Sequence, residues 1–455
     1  MKYIIAVLTC AGLIVMWGYN LLPAIAIALW VFTAYELFVN ANKRLAFREF
    51  MLTLYGMNFL LSPAMTYHTP DLANGYPMKI PEEQYFEIAI PAMLCLRAGL
   101  YWIKTEIFSF NFNLAKLQAI ANQEVLRFWL IAGVLLKLVY PFVPGDIGFV
   151  IYLLATVRFI AAFSLYAVDA RKYRWWLVLI LFFEVSSSVA SGMFHDTVMW
   201  LIFFGIYWCF LRKPSVAKKI AIGIAAIACF IVLQVSKSTY RQQAGEGGDF
   251  GIFVEILSDN ASKGVFAEEN VNSSVNRVNQ AWIFASTIQN MDRRGDFQGL
   301  RLVGLYAEAA LLPRALAPNK LSSGNKEIFR RYSGHYLRDG TSMGLGILGD
   351  GYVAFGYFGT LIFCLILGLL FGVVFKIVEG WARISPYFIL FIFPVLNYAV
   401  RPDCETQTII THLVKATVLF GLMMLYYRRY FRKRIYFLQK KEDDQAEKVF
   451  KPYPA

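Results

Sequence analysis

Apolar runs long enough to span a membrane recur along most of this chain. At about 20 residues per crossing helix, the pattern predicts twelve: 3–18, 21–40, 49–67, 84–103, 127–143, 147–168, 175–193, 197–212, 219–236, 350–377, 385–400 and 408–427. Each could cross with all its backbone groups bonded internally, so the predicted fold is an all-α polytopic membrane protein. The series breaks once, between Lys237 and about Met343, where a long, mostly polar segment intervenes. The chain therefore divides into 1–236 with nine spans, 237–343 as one large loop, 344–428 with three spans, and a basic tail at 429–455.

Inside the loop the periodicity is helical. Val271, Val275, Val278, Trp282 and Ala285 recur at spacings of three and four, which predicts one amphipathic helix over 269–290. Its apolar stripe would lie on the membrane or on neighbouring spans, with Arg277 at the edge. A second helix carries Leu302, Leu305, Tyr306 and Ala309 and must stop before Pro313, which has no N–H to continue it. A third, with Ile328, Phe329 and Tyr332, has Ser323 and Glu327 in place for a cap. The three read as a lid across the mouth of the bundle. Gly344, Gly346 and Gly349 formally match GxGxxG, but no strand precedes them and an apolar helix follows, so a dinucleotide fold is excluded.

Charge gives the orientation. Lys and Arg are retained on the cytoplasmic side, and every even-numbered span exits into a basic stretch. These are Lys43, Arg44 and Arg48; Lys104 and Lys116; Arg171, Lys172 and Arg174; Arg212, Lys213, Lys218 and Lys219; Arg383; and Arg428, Arg429, Arg432, Lys433 and Arg434. Both termini are expected in the cytoplasm and the large loop outside. The composition, 58% hydrophobic and 16% aromatic with mean hydropathy +0.50, exceeds the needs of a soluble core. The net charge of +13 sits largely in the connectors and tail, where it meets anionic lipid, so it calls for no nucleic acid. Leu8-Thr9-Cys10-Ala11 faintly resembles a lipoprotein cleavage site, but apolar sequence continues to Trp17 and an uncleaved first helix is the reading. The six cysteines form no CxxC pair. The four histidines form no HExxH or similar cluster, so no protein-built metal site is expected.

Residues 237–343 hold nine arginines and four lysines against eleven acids. The excess is small, but the preference for Arg is informative, because the guanidinium fork grips phosphate or carboxylate with two parallel bonds. Arg277, Arg314 and Arg338 are the candidates. The first two also have a plainer use: Arg277 can snorkel or pair with Glu268 or Glu269, and Arg314 can sit on the negative end of the helix before Pro313. Gly349 and Gly351 beside Asp350 would let backbone amides approach phosphate oxygens, or simply let helices pack closely. His335 lies in the loop above the tenth span. His195 with Asp196 is a base with an adjacent carboxylate, or a polar loop cap. Arg401 and Glu405, four residues apart, face a cavity or pair with each other.

From Asn276 to Gly359 the sequence resembles Wzy-like oligosaccharide repeat-unit polymerases of O-antigen and exopolysaccharide assembly. The matching pieces are Asn276-Arg277 with Trp282-Ile283-Phe284-Ala285, then Leu312-Pro313-Arg314 through Pro318-Asn319-Lys320. Thr341-Ser342 and Leu348-Gly349-Asp350-Gly351-Tyr352 through Phe355-Gly356 and Gly359 complete the series. Ala317 stands where the family pattern has Trp, and Asp350 where Glu is more common. The resemblance implies a GT-C-like glycosyltransferase of the bacterial inner membrane, with its active site on the outer face. It would move a growing glycan from an undecaprenyl-pyrophosphate donor to the next lipid-linked repeat, without metal or other cofactor, alongside a flippase and a chain-length regulator. Such transfer needs fixed cations for the departing pyrophosphate, here Arg277, Arg314 and Arg338, and a base for the acceptor hydroxyl, here Asp350 or His335. A lipid-linked glycan ligase would use the same donor, with a stronger His-centred motif. A transporter would show paired inverted repeats, and none is found.

Overall fold

The computed structural model describes residues 2–73, 76–105, 122–191, 194–243, 250–262, 264–265, 267, 270, 272, 274–275, 278–312, 316–322, 324–337 and 343–449. The described residues are helical with turns and contain no strand. The helices are α1 (Lys2–Trp17), α2 (Leu21–Asn40), α3 (Phe47–Gly56), α4 (Ser62–His68), α5 (Glu82–Trp102), α6 (Gln123–Val139), α7 (Gly145–Ala155), α8 (Val157–Val168), α9 (Ala170–Ser191), α10 (His195–Arg212), α11 (Val216–Gln243) and α12 (Phe250–Ser262). They continue with α13 (Ala281–Arg294), α14 (Leu300–Leu311), α15 (Lys326–Ser333), α16 (Gly346–Ile384), α17 (Ile392–Leu396) and α18 (Thr406–Val449).

The described residues of the predicted stretches are mostly helical, 385–400 only through a 3₁₀ piece (Pro386–Phe391) and a short α piece (Ile392–Leu396). Six described segments are by themselves long and apolar enough to cross a bilayer: Leu21–Asn40, Gln123–Phe142, Ile147–Val168, Val216–Leu233, Gly346–Ile384 and Thr406–Arg428. The span predicted at 84–103 carries Glu87 and Arg97 within α5, and the one at 175–193 follows Arg171, Lys172 and Arg174 within α9. Only 6% of Val216–Leu233 is buried, and Ile220, Ile222, Ile224 and Ile227 are exposed. An apolar helix left bare on this scale fits a chain whose solvent is lipid.

The chain forms two compact units. One comprises Met1–Lys104, Leu181–Val373 and Leu396–Val414. Here α5 and the long α16 cross at Gly99 and Gly368, where a Cβ would fall 2.2 Å from the Leu365 carbonyl oxygen or 2.4 Å from that of Leu96. Only glycines allow backbones this close. Between α3 and α4 the helix widens to a π turn over Met57–Leu61. Pro63 cannot donate to the Phe59 carbonyl four residues earlier, and the Tyr85 hydroxyl does so at 3.0 Å. In the other unit, Thr105–Ile180, Val374–Val395 and Lys415–Ala455, Trp129 packs against Phe388, Phe391 and Tyr427. Gly133 lets α6 approach the Arg158 backbone on α8.

The predicted loop is no separate body; its described residues belong to the first unit with the flanking helices. The single helix expected over 269–290 is broken. Described positions up to Val278 are helical, Asn279 and Gln280 are not, and α13 begins at Ala281. Asn279 causes the break: its amide donates to the Thr66 hydroxyl at 3.0 Å, and its side-chain oxygen accepts from the Ala281 N–H. Nor is α13 a surface stripe, because Ala281 through Ile288 are all buried. The second helix stops at Leu311 as Pro313 requires, and its C-terminal carbonyls are capped by Lys320, whose ammonium donates to Leu312 O at 2.6 Å and Ala309 O at 3.5 Å. The cap of α15 is Asn325, which accepts from the Glu327 and Ile328 N–H groups, while Ser323 lies outside the described residues. A further helix, α12, places Phe253 and Ile256 in a cluster with Val189, Phe194 and Tyr240.

The helix α16 is two helices joined at a fold-back. Phe355 (φ −143°, ψ 19°) and Gly356 (φ 68°, ψ −148°) leave helical geometry, and the second of these backbone states is open to glycine alone. The break frees the carbonyls of Val353 and Ala354, which accept from the N–H groups of Gln298 (2.9 Å) and Gly299 (2.8 Å). Residues 346–354 lie back along the start of the second part, with Gly351 against Thr360 and Phe363.

Candidate functional site

Five pieces of the first unit enclose a small recess of about 20 Å³. Tyr306 comes from α14, Asn325, Ile328 and Phe329 from α15 and its cap, and Met343 to Leu345 from the approach to α16. Asp350 comes from the folded-back part of α16, and Glu405 and Gln407 from the start of α18. The polar centre is a pair of carboxylates with different surroundings.

Asp350 is buried and fully engaged. The Tyr306 hydroxyl donates to its Oδ1 at 2.7 Å, and the Thr406 backbone N–H donates to its Oδ2 at 3.1 Å. It thus satisfies one of the open N–H groups that begin α18, and Tyr306's own burial, with the charge of Asp350 added, pushes the Tyr306 hydroxyl well above the usual phenol range. Glu405 is half-buried and accepts the Gly324 N–H at 3.0 and 3.1 Å, with the Thr408 hydroxyl at 3.4 Å. Burial raises its carboxyl to about 7, the Gly324 hydrogen bonds oppose the rise, and the charge on Asp350 adds to it. A carboxyl near 7 gives or takes a proton at physiological pH. Gly344 is pressed against Glu405, since a Cβ there would lie 2.3 Å from Glu405 Cγ.

The other residues predicted from the sequence are distributed as follows. Arg277, Arg314 and Arg338 lie outside the described residues. Gly349 and Gly351 are packing positions: a Cβ on the first would meet Leu345, and on the second Thr360 and Phe363. His335 does not line the recess; its Nε2 is 3.0 Å from the Ser286 hydroxyl and its ring stands edge-on to Trp282 at 5.2 Å. Burial, helped by Lys79, lowers its proton affinity, so the imidazole is neutral at pH 7. Arg401 and Glu405 do not pair with each other. Arg401 bonds Asp196 at 3.4 Å over the Tyr398 ring, while Glu405 takes Gly324. His195 is the first residue of α10, beside that ion pair.

A family model described as "Domain of unknown function (DUF8712)" matches residues 64–383, well over half of the chain. The chain belongs to that family. No curated protein and no solved structure matches it. The DUF8712 match takes in α13, α14, α15 and Asp350, whereas Glu405 lies beyond its end. The sequence motif points to Asp350 or His335 as the base and leaves Glu405 a secondary candidate, facing a cavity or pairing with Arg401. The signal for Glu405 was the dense polar run from Arg401 to Glu405 between two apolar helices. Lys320 was visible only as part of a motif, and its cap needed the backbone of α14.

Proposed function

We propose that this DUF8712 protein is a metal-independent glycosyltransferase of the bacterial inner membrane that polymerises undecaprenyl-pyrophosphate-linked oligosaccharide repeats on the outer face. A twelve-span GT-C-like architecture with cytoplasmic termini goes with this reading. The observation that carries it is the recess holding Asp350 and Glu405 where the loop helices meet the first turns of two long apolar helices. Glycosyl transfer needs a proton acceptor beside the acceptor hydroxyl, and the half-buried Glu405, with its carboxyl near 7, suits that work better than the fully buried Asp350. The acceptor oxygen bonds to the anomeric carbon, the bond to pyrophosphate breaks with its electron pair leaving on the phosphate oxygen, and the hydroxyl proton passes to Glu405. Asp350 then acts as a positioning residue that ties α14, α16 and α18 together. Arg277, Arg314 and Arg338 are assigned to the pyrophosphate charge.

Reconstitution with synthetic lipid-linked repeat units tests the reading. A glycan ladder formed without nucleotide sugar is expected, and Arg314→Ala should lower turnover by about a hundredfold, as loss of a preorganised charge donor does elsewhere. Movement of the lipid across the bilayer without a ladder would refute it in favour of transport, and a single addition to a different acceptor would refute it in favour of ligation.

A further inference from the structure

A second polar cluster lies in the same unit, away from the recess, where α1 begins, α2 and α5 end and α3 begins. Glu36 accepts from Lys2 at 2.9 Å and Arg97 at 2.7 Å, and Glu49 accepts from Asn40 at 2.9 Å and from Arg44. Arg48 donates to the Ile103 carbonyl at 3.1 Å. Tyr101 sits in the middle, with the Arg48 and Arg97 guanidinium groups over its ring at 5.4 and 5.0 Å and with Arg44, Glu36 and Glu49 within electrostatic reach. The linker between α10 and α11 and the first turn of α11 join the same end: Lys219 of α11 donates to the Phe38 carbonyl at 2.8 Å, and Asn42 to that of Pro214 in the linker at 2.8 Å.

Two features of this cluster are unbalanced. Lys2, Arg44 and Arg97 bring three positive charges against the two carboxylates Glu36 and Glu49 that they pair with. Three buried donors around Tyr101, namely Arg44 Nε, Arg97 Nη1 and the Tyr101 hydroxyl, have no acceptor among the described residues. Buried donors are almost always paired, and an excess of cations with open N–H groups is the complement of an oxyanion. Lys2 and Arg44 are more than a third exposed and Arg97 about a quarter, so the edge of the cluster faces outward while the three open donors themselves are buried.

We propose that the cluster of open donors on Arg44, Arg97 and Tyr101 binds a phosphate group, carried either by an anionic lipid headgroup or by free phosphate. The phosphate oxygens accept from the three open donors and balance the surplus charge. This site is independent of the glycosyl-transfer reading, because it shares no residue with the recess.

Native mass spectrometry of the purified full chain, released from nanodiscs of phosphatidylcholine with or without phosphatidylglycerol, tests it, alongside thermal unfolding with added inorganic phosphate. Retained phosphatidylglycerol without stabilisation by phosphate assigns a lipid headgroup; stabilisation by phosphate alone assigns the free ion. Arg97→Gln and Tyr101→Phe should each weaken retention or shift the phosphate midpoint by about tenfold, the equivalent of one charge-assisted hydrogen bond. Tyr101→Phe removes only an unpartnered hydroxyl, so it should fold normally and keeps the test valid if Arg97→Gln does not. Equal retention of both lipids with no phosphate effect, or unchanged binding in a folded Tyr101→Phe protein, overturns the proposal.

Discussion

Replacing Glu405 with Gln separates what this carboxyl costs the fold from what it gives the reaction. Its ordinary value is 4.5, and in the recess it is raised to about 7. As pH rises from 4.5 the unfolded chain ionises at this position while the folded chain holds its proton, so stability falls with pH until the folded group also ionises near 7. At about 1.4 kcal/mol for each tenfold in proton affinity, the gap comes to ~3 kcal/mol, lost between pH 4.5 and 7 and missing at every pH above. Gln keeps a carbonyl oxygen for the Gly324 N–H and has nothing to ionise. The Glu405→Gln protein should therefore be more stable than the native one above neutrality and nearly equal to it near pH 4.5, while its glycan ladder disappears. Thermal unfolding of both proteins in one detergent across a pH series provides the comparison. Parallel profiles, or a Gln variant that is less stable above neutrality, would refute the reasoning about Glu405 whatever the activity does.

The recess and the helix crossing give three further expectations. Tyr306→Phe deprives the buried Asp350 Oδ1 of its hydroxyl donor and should cost ~1–3 kcal/mol, read as a lower unfolding midpoint with an unchanged circular-dichroism spectrum. Gly344→Ala places a methyl 2.3 Å from Glu405 Cγ, so polymer formation should fall by at least about tenfold, the effect of a misplaced catalytic group; full activity would show that Glu405 has room to move. Gly368→Ala drives a Cβ to 2.4 Å from the Leu96 carbonyl oxygen and should cost ~1–3 kcal/mol by overpacking, measured as a lower midpoint and less folded protein by size exclusion.

Helix positions were legible from the apolar runs because burial in lipid or protein demands a continuous apolar stretch, and Pro313 marked the end of α14. What escaped detection depended on distant partners. Asn279 breaks a good helical periodicity only because Thr66, 213 residues away in sequence, offers it a hydroxyl. Glu405 reads as one acid in a polar turn until Gly324, 81 residues earlier, donates to it. The glycines near Asp350 allow either phosphate contact or close helix packing, and only the fold-back shows Gly351 lying against Thr360 and Phe363. Arg401 and Glu405 had the spacing of a helical pair, but Pro402 follows Arg401 and the pairing goes instead to Asp196 and Gly324.

The fold-back at Phe355 and Gly356 also bears on how the chain enters its membrane. A nascent-chain insertion machine selects segments by continuous apolar length, and the part of α16 after the break, 357–384, supplies 28 residues, or about 42 Å of helix, more than the roughly 30 Å of a hydrocarbon core. Residues 346–354 can then remain at the membrane surface, so Asp350 need never be carried through lipid. The stitch from Gln298 and Gly299 to the freed carbonyls holds that returned segment in place, with Asp350 against the Tyr306 hydroxyl and the Thr406 N–H.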